Sequence, residues 1–167
     1  AVTRVIREES RVIGVETSAG RIDAGSVIVA AGAWSRRLCT EFGLDLPARP
    51  KAIDTVAVSR PPELAKGHMV FIDNVQGNYF RPEGGGLTLV GVPCQEWDID
   101  PDTLGTGLSP QAADMGAQLL MHRIPAMERA TLARGYRAFD GYSADRHAIL
   151  GRVDGIAPDV KGFGMNA

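Results

Sequence analysis

Apolar and polar positions at the start of the chain fall into three short β-type runs, residues 1–7, 11–17 and 20–24. In the first, Val2 and Ile6 are apolar while Arg4 and Arg7 are polar. Glu8-Glu9-Ser10 and Ser18-Ala19-Gly20 separate the runs, and both are turn-type sequences, which predicts an antiparallel meander. Val27-Ile-Val-Ala-Ala-Gly-Ala33 then reads as a strand buried on both faces, because it is continuously apolar and carries a glycine near its end. Apolar residues at 34, 38, 39 and 42 predict a short amphipathic helix over Trp34–Phe42, capped by Gly43.

Beyond Leu46-Pro-Ala-Arg-Pro50 the pattern changes. Residues 52–59 alternate as a strand, and His68-Met-Val-Phe-Ile72 predicts another. Asn78-Tyr-Phe-Arg81 and Leu87-Thr-Leu-Val90 flank Pro82-Glu-Gly-Gly-Gly86, the pattern of a hairpin with a glycine-rich turn. A loop over 93–108 carries Asp98, Asp100 and Asp102. Ser109-Pro110 opens a helix as N-cap and first helical residue; it runs to about Arg123 with apolar positions 112, 115, 119 and 120, and Pro125 stops it. Residues 132–140 and 147–153 predict two more strands. The fold class is α+β: an antiparallel sheet with helices, plus remnants of an α/β arrangement around one parallel-type strand.

A chain of 167 residues with 44% hydrophobic content suffices for one packed domain or a large piece of a bigger one. Its formal charge of -2 gives no electrostatic reason to expect nucleic acid or an anionic membrane as partner. No apolar run approaches the roughly 20 residues of a membrane span. Two cysteines, Cys39 and Cys94, suit a reducing, cytoplasmic compartment. The chain opens as a strand without a lead-in and stops at Gly162-Phe-Gly-Met-Asn-Ala167, so it reads as a piece of something longer.

The candidate chemistry is spare. Small residues at the carboxyl end of the 27–33 strand admit a ligand or another backbone, and a tight strand-to-helix turn is the plain alternative. Gly84-Gly-Gly86 lacks the Gly-Lys-Ser/Thr and the helix of a phosphate loop. Tyr79 and Arg81 share one face of their strand, where a phenol and a guanidinium can hold a carboxylate. Ser143-Ala-Asp-Arg-His147 offers polar groups without a clear nucleophile, and a loop of satisfied groups explains it. His68, His122 and His147 are widely spread and no Cys-x-x-Cys is present, so no metal site is expected.

In their order along the chain, three segments resemble the FAD-dependent oxidoreductase family of D-amino-acid oxidase, glycine oxidase and sarcosine oxidase. They are Arg11–Ala24 leading into Val27-Ile-Val-Ala-Ala-Gly-Ala-Trp-Ser35, Gly77-Asn-Tyr-Phe-Arg-Pro with Leu87-Thr-Leu-Val-Gly91, and Gly141-Tyr-Ser-Ala-Asp-Arg-His-Ala-Ile-Leu-Gly151. The resemblance implies that residues 1–45 close a FAD-binding domain, 46–140 form a substrate-binding domain, and 141–167 return to the FAD-binding domain. It implies that Ala30, Ala31 and Gly32 line FAD, with Gly162, Gly164 and Met165 in a loop beside the flavin. Tyr79 and Arg81 would then roof the substrate pocket. The implied reaction is oxidation of a small amine or amino acid by hydride transfer to flavin, and no catalytic side chain is singled out.

The chain also departs from the family pattern. The Gly-x-Gly-x-x-Gly that carries the pyrophosphate is absent, so this chain by itself is expected to bind FAD weakly or not at all and to be inactive. Asp140 stands where some members place a carboxylate-binding arginine, for which Arg137 or Arg81 would substitute. The position of a flavin-attaching cysteine falls near Ala138, which implies no covalent flavin there. The family fits a strand between the pieces that meet here at Phe163 and Gly164, so either the chain is shortened at that point or residues are missing from the sequence. Two other readings stay open: a non-catalytic interaction domain, and a glycerol-3-phosphate dehydrogenase relative with Arg81 and Arg137 at a phosphate.

Overall fold

The computed structural model describes the chain except residues 10, 42, 153–159 and 164–167, and for 160–163 it describes the backbone alone. In chain order the strands are β1 (Val2–Glu8), β2 (Arg11–Thr17), β3 (Gly20–Asp23), β4 (Val27–Val29), β5 (Ala48–Ser59) and β6 (Phe71–Asp73). They continue with β7 (Asn78–Pro82), β8 (Leu87–Val92), β9 (Thr131–Ser143), β10 (Leu150–Arg152) and β11 (Val160–Phe163). The α-helices are α1 (Ser35–Thr40) and α2 (Pro110–Arg123). The fold is α+β, and the chain divides into two compact units, residues 1–51 with 140–167, and residues 52–139.

In the first unit β1, β2 and β3 form the antiparallel meander. A second sheet has the order β10-β11-β4, in which β11 runs parallel to β4 and antiparallel to β10. The parallel character read for residues 27–33 is therefore present, but two expectations fail. The strand is only Val27–Val29, and it is not buried on both faces: Val29 joins Val5, Val12 and Cys39 in the core, whereas Ile28 is 62% exposed. Alternation turns Ile28 to the opposite face. The expected helix over 34–42 is a 3-10 turn, Gly32–Trp34, followed by the six residues of α1. Gly43, at φ +82°, closes this end with its N–H on the Thr40 carbonyl. At the other end Val160–Phe163 forms a strand, and Gly164 with the residues after it lies outside the described residues.

The second unit is a five-stranded sheet, order β6-β7-β8-β5-β9, with α2 against one face. Registers across β7, β8 and β5 align Phe80, Val90 and Val56 in one row and Tyr79, Gly91 and Thr55 in the next. Because neighbouring rows face opposite ways, the first row meets α2 and the second lies on the other face. The α2 side holds the core of Val56, Val58, Phe80, Val90, Val92, Leu120 and Met127. Burial of these side chains from water supplies the main cohesion of the unit.

Local chemistry fixes the ends of these elements. Ser109 accepts the Ala112 N–H at 3.1 Å as N-cap of α2, and Pro110 occupies the first turn. The buried residues of α2 are Ala112, Gly116 and Leu120, whereas Met115, expected inside, is 44% exposed. Gly116 explains the change, since a Cβ there would stand 3.0 Å from Val56 and 3.1 Å from Val92; its absence lets the helix backbone rest on the sheet. The hairpin turn has Gly85 at φ +69° and Gly86 at φ +75°, a geometry that glycine adopts without strain. The strand expected over 68–72 begins only at Phe71: His68 turns its Nε2 to the Thr88 hydroxyl at 2.8 Å, leaving Met69 and Val70 exposed outside the ladder. The strand expected over 132–140 extends over Thr131–Ser143, and that expected over 147–153 is described as a strand over Leu150–Arg152.

Candidate functional site

Each unit contains one group of the expected residues. In the first unit the chain leaves β4 through Ala30, Ala31 and Gly32, of which Ala30 and Gly32 are exposed. Gly32 has φ +50°, and a Cβ added there would meet nothing within 4 Å. Register sets Gly162 of β11 opposite Val29, one residue before Ala30. Small residues from two parallel strands thus converge at the carboxyl end of β4, where open α/β sheets receive ligands. Gly164 and Met165 lie outside the described residues. Small residues also serve packing here. A Cβ on Gly141, in the last part of β9, would come within 3.0 Å of the Ala33 nitrogen and the Gly32 carbonyl carbon, so this backbone lies directly against the turn.

In the second unit Tyr79 and Arg81 share the sheet face opposite α2. Tyr79 is 42% exposed, with Gly91 beneath it in register. The Arg81 guanidinium is 2.7 Å from the Glu83 carboxylate. Arg137 is elsewhere. Its Nε and Nη2 donate to the two carboxylate oxygens of Asp54 at 3.0 and 3.2 Å, and its Nη1 and Nη2 donate to Glu96 at 3.1 and 3.0 Å. Asp54 pairs with Val92 in register, so it stands on the α2 face. Arg137 is therefore held on the side of the sheet away from Tyr79 and Arg81. Its two carboxylate partners, Asp54 first, push its pKa further above the ordinary value, so the group stays cationic at every pH.

A second ion pair, with its carboxylate buried and its guanidinium half exposed, tightens the far edge. Asp73 Oδ2 accepts from Arg123 Nε and Nη2 at 3.0 and 2.9 Å, while its Oδ1 accepts the N–H groups of Val75 and Gln76. The Gln76 hydrogen bond leads these effects in holding the Asp73 carboxyl below the usual range, against the opposing effect of burial. In the first unit Ser143, Asp145 and His147 close a local turn: the Ser143 hydroxyl lies 2.7 Å from the His147 carbonyl, and His147 N–H donates to Asp145 at 3.0 Å. That N–H, with the Ser143 hydroxyl, holds Asp145 low. Among the described residues no three His, Cys, Asp or Glu side chains are grouped as metal ligands, and no helix is long and apolar enough to cross a membrane.

Sequence reading missed Asp54, Glu96 and Gly91. A signal for Asp54 was present: it is a lone carboxylate inside Ala52-Ile-Asp-Thr-Val-Ala-Val58, and a charge in a buried strand requires a partner. Gly91 had no such signal, because its role depends on which residue of the neighbouring strand lies beside it.

Comparison with known proteins places these features in context. The profile of the family described as DAO, FAD dependent oxidoreductase, matches residues 1–166. A glycine oxidase of Pseudomonas putida is 26% identical over 154 residues, which cover 92% of this chain and 40% of that protein. A glycine oxidase of Pseudomonas aeruginosa is 49% identical over 117 residues, covering 68% of this chain and 31% of that one. The chain thus spans well under half the length of these relatives. Among solved structures, the glycine oxidase of Geobacillus kaustophilus superposes with a TM-score of 0.79 at 21% identity, over 98% of this chain and 42% of that one. The L-proline dehydrogenase of P. horikoshii reaches a TM-score of 0.81 at 19% identity, over 98% of this chain and 43% of that one. These two structural likenesses establish a shared fold.

Proposed function

The chain belongs to the DAO family of FAD-dependent oxidoreductases, and from that premise we propose that it supplies one wall of a flavin site and the substrate-binding sheet of an enzyme oxidising a small amine or amino acid. The observation that carries the reading is the convergence of Ala30, Ala31 and Gly32 with Gly162 at the carboxyl end of the parallel pair β4 and β11. Open space beside Gly32 suits the approach of a flat group, and a larger side chain would fill it. In this reading residues 1–45 and 141–167 belong to the FAD-binding domain and residues 46–140 to the substrate-binding domain.

Bound beside Ala30, Ala31 and Gly32, FAD would supply the acceptor for a hydride from the carbon next to the substrate amine. The residues of this chain bind and orient. Tyr79 and Arg81 present a phenol and a guanidinium on one sheet face, and a substrate carboxylate there takes charge-assisted hydrogen bonds in competition with Glu83. Arg137, neutralised by Asp54 and Glu96, braces β9 against β5 and does not serve as the carboxylate anchor. That pairing also leaves the glycerol-3-phosphate alternative with Arg81 alone of its two candidates. Without a Gly-x-Gly-x-x-Gly segment the 167-residue chain holds FAD weakly, since the pyrophosphate has no helix N-terminus of that type. A cytoplasmic location fits the free thiols Cys39 and Cys94.

Flavin uptake and amine turnover test this. A protein joining this chain to the dinucleotide-binding half is expected to purify yellow and to reduce a redox dye with glycine or N-methylglycine. A colourless product that takes up no FAD overturns the proposal and favours an interaction domain.

A further inference from the structure

Gly91 lies buried in β8, between Tyr79 of β7 and Thr55 of β5 in register. It is not among the glycines with positive φ, so its backbone demands nothing that another residue could not adopt. The demand comes from Tyr79. A Cβ built on Gly91 would fall inside the ring's van der Waals envelope, with Cδ1 and Cζ at 2.6 Å each and Cε1 nearer still. The flanking carbons are so little farther than Cε1 that the point stands over the ring's face; beside the edge they would fall back by about twice as much. The Tyr79 ring therefore lies flat on the Gly91 backbone, one face against β8 and the other turned away from the sheet.

We propose that Gly91 is a positioning residue that sets substrate size selectivity on this face, by letting the Tyr79 ring lie flat and so keeping the space above β8 open. This rests on the amine-oxidising role proposed above for the same face. A flat ring adds one aromatic thickness to the floor. Any side chain at 91 lifts or swings the ring into the space that Arg81 borders, and the loss of depth weighs most on the bulkiest substrate.

The test is Gly91→Ala in the FAD-loaded, dinucleotide-binding protein, with kcat and KM read for glycine, N-methylglycine and N-ethylglycine. The expected result is a graded fall in kcat/KM, smallest for glycine and about tenfold or more for the N-ethyl compound, since one methyl group in a closed site discriminates on that scale. Tyr79→Ala added to Gly91→Ala removes the collision and is expected to restore turnover of the larger amines relative to glycine. If Gly91→Ala fails to fold, Tyr79→Ala alone decides: the ratio of N-ethylglycine to glycine turnover rises if the ring is the floor, and an unchanged ratio overturns the proposal. A separate readout needs no turnover. The Gly91 Hα protons under the ring are expected to resonate upfield in NMR and to lose that shift in Tyr79→Leu; an unshifted Gly91 overturns the geometry. An active wild type whose Gly91→Ala variant shows the same fold-change on all three amines, including none, overturns this inference and leaves the function standing. A wild type inactive on all three overturns both.

Discussion

Removing the Arg137 guanidinium is the sharpest test of how the second unit is held together. Asp54 has a side chain 6% exposed, and both its oxygens are bound by Arg137. Arg137→Met keeps the length and apolar stem of the side chain while leaving that carboxylate buried and unpaired. Breaking a buried pair from one side costs about 3–5 kcal/mol. Arg137 is itself 20% exposed, so water reaches the edge of the pair and the lower end, about 3 kcal/mol, is expected. Glu96, at 55% exposure, adds only a surface pair, about 0–1 kcal/mol. Urea unfolding followed by Trp97 fluorescence reads the second unit, while Trp34 lies in the first and serves as control. With an m-value of about 2 kcal/mol/M, the midpoint of the second unit falls by about 1.5 M. Asp54→Leu combined with Arg137→Met removes both charges and is expected to recover most of the loss, because an apolar pair of similar volume is often as stable as the ion pair. A single-variant loss below about 1 kcal/mol, or a double variant no better than the single, refutes the claim that Asp54 depends on Arg137.

Other consequences follow from the same contacts. Ser109→Ala removes the side-chain cap of α2 and is expected to cost about 1 kcal/mol in urea unfolding, with Ser109→Asp retaining most of it. Asp73 has its carboxyl held low in the folded state, so it contributes stability above the ordinary carboxylate pKa of about 4, and that contribution is lost as pH falls through the lower folded value. Asp73→Asn is therefore expected to lower the unfolding midpoint at neutral pH and to converge on wild type in acid, which a pH series of melts reads directly. Burial pushes the Cys39 thiol up while Cys94 is half-buried, so a charged thiol reagent is expected to modify Cys94 in the native protein and Cys39 only on unfolding.

What sequence alone determined about this protein is what local chemistry controls. Ser109-Pro110 and Pro125 bracket α2 because capping and the missing proline N–H act within a turn. The glycines at 85 and 86 mark the hairpin because positive φ is a local demand. The α+β class follows from such elements in order, as does the family, whose motifs are short and contiguous. Tertiary structure decided matters that depend on neighbours distant in the chain. Arg137 reads on paper as a free cation, and 83 residues earlier Asp54 claims it. Met115 has the apolarity of a core residue, yet Gly116 meets the sheet in its place, because close approach of the backbone outweighs side-chain hydropathy at that crossing. Ile28 sits in an apolar run but lies exposed, since a strand's two faces are filled by separate partners and the described residues meet only one of them. Gly91 acquires its meaning only when register brings Tyr79 over it. Periodicity tells which residues share a face; pairing across strands, which no single stretch encodes, tells what that face meets.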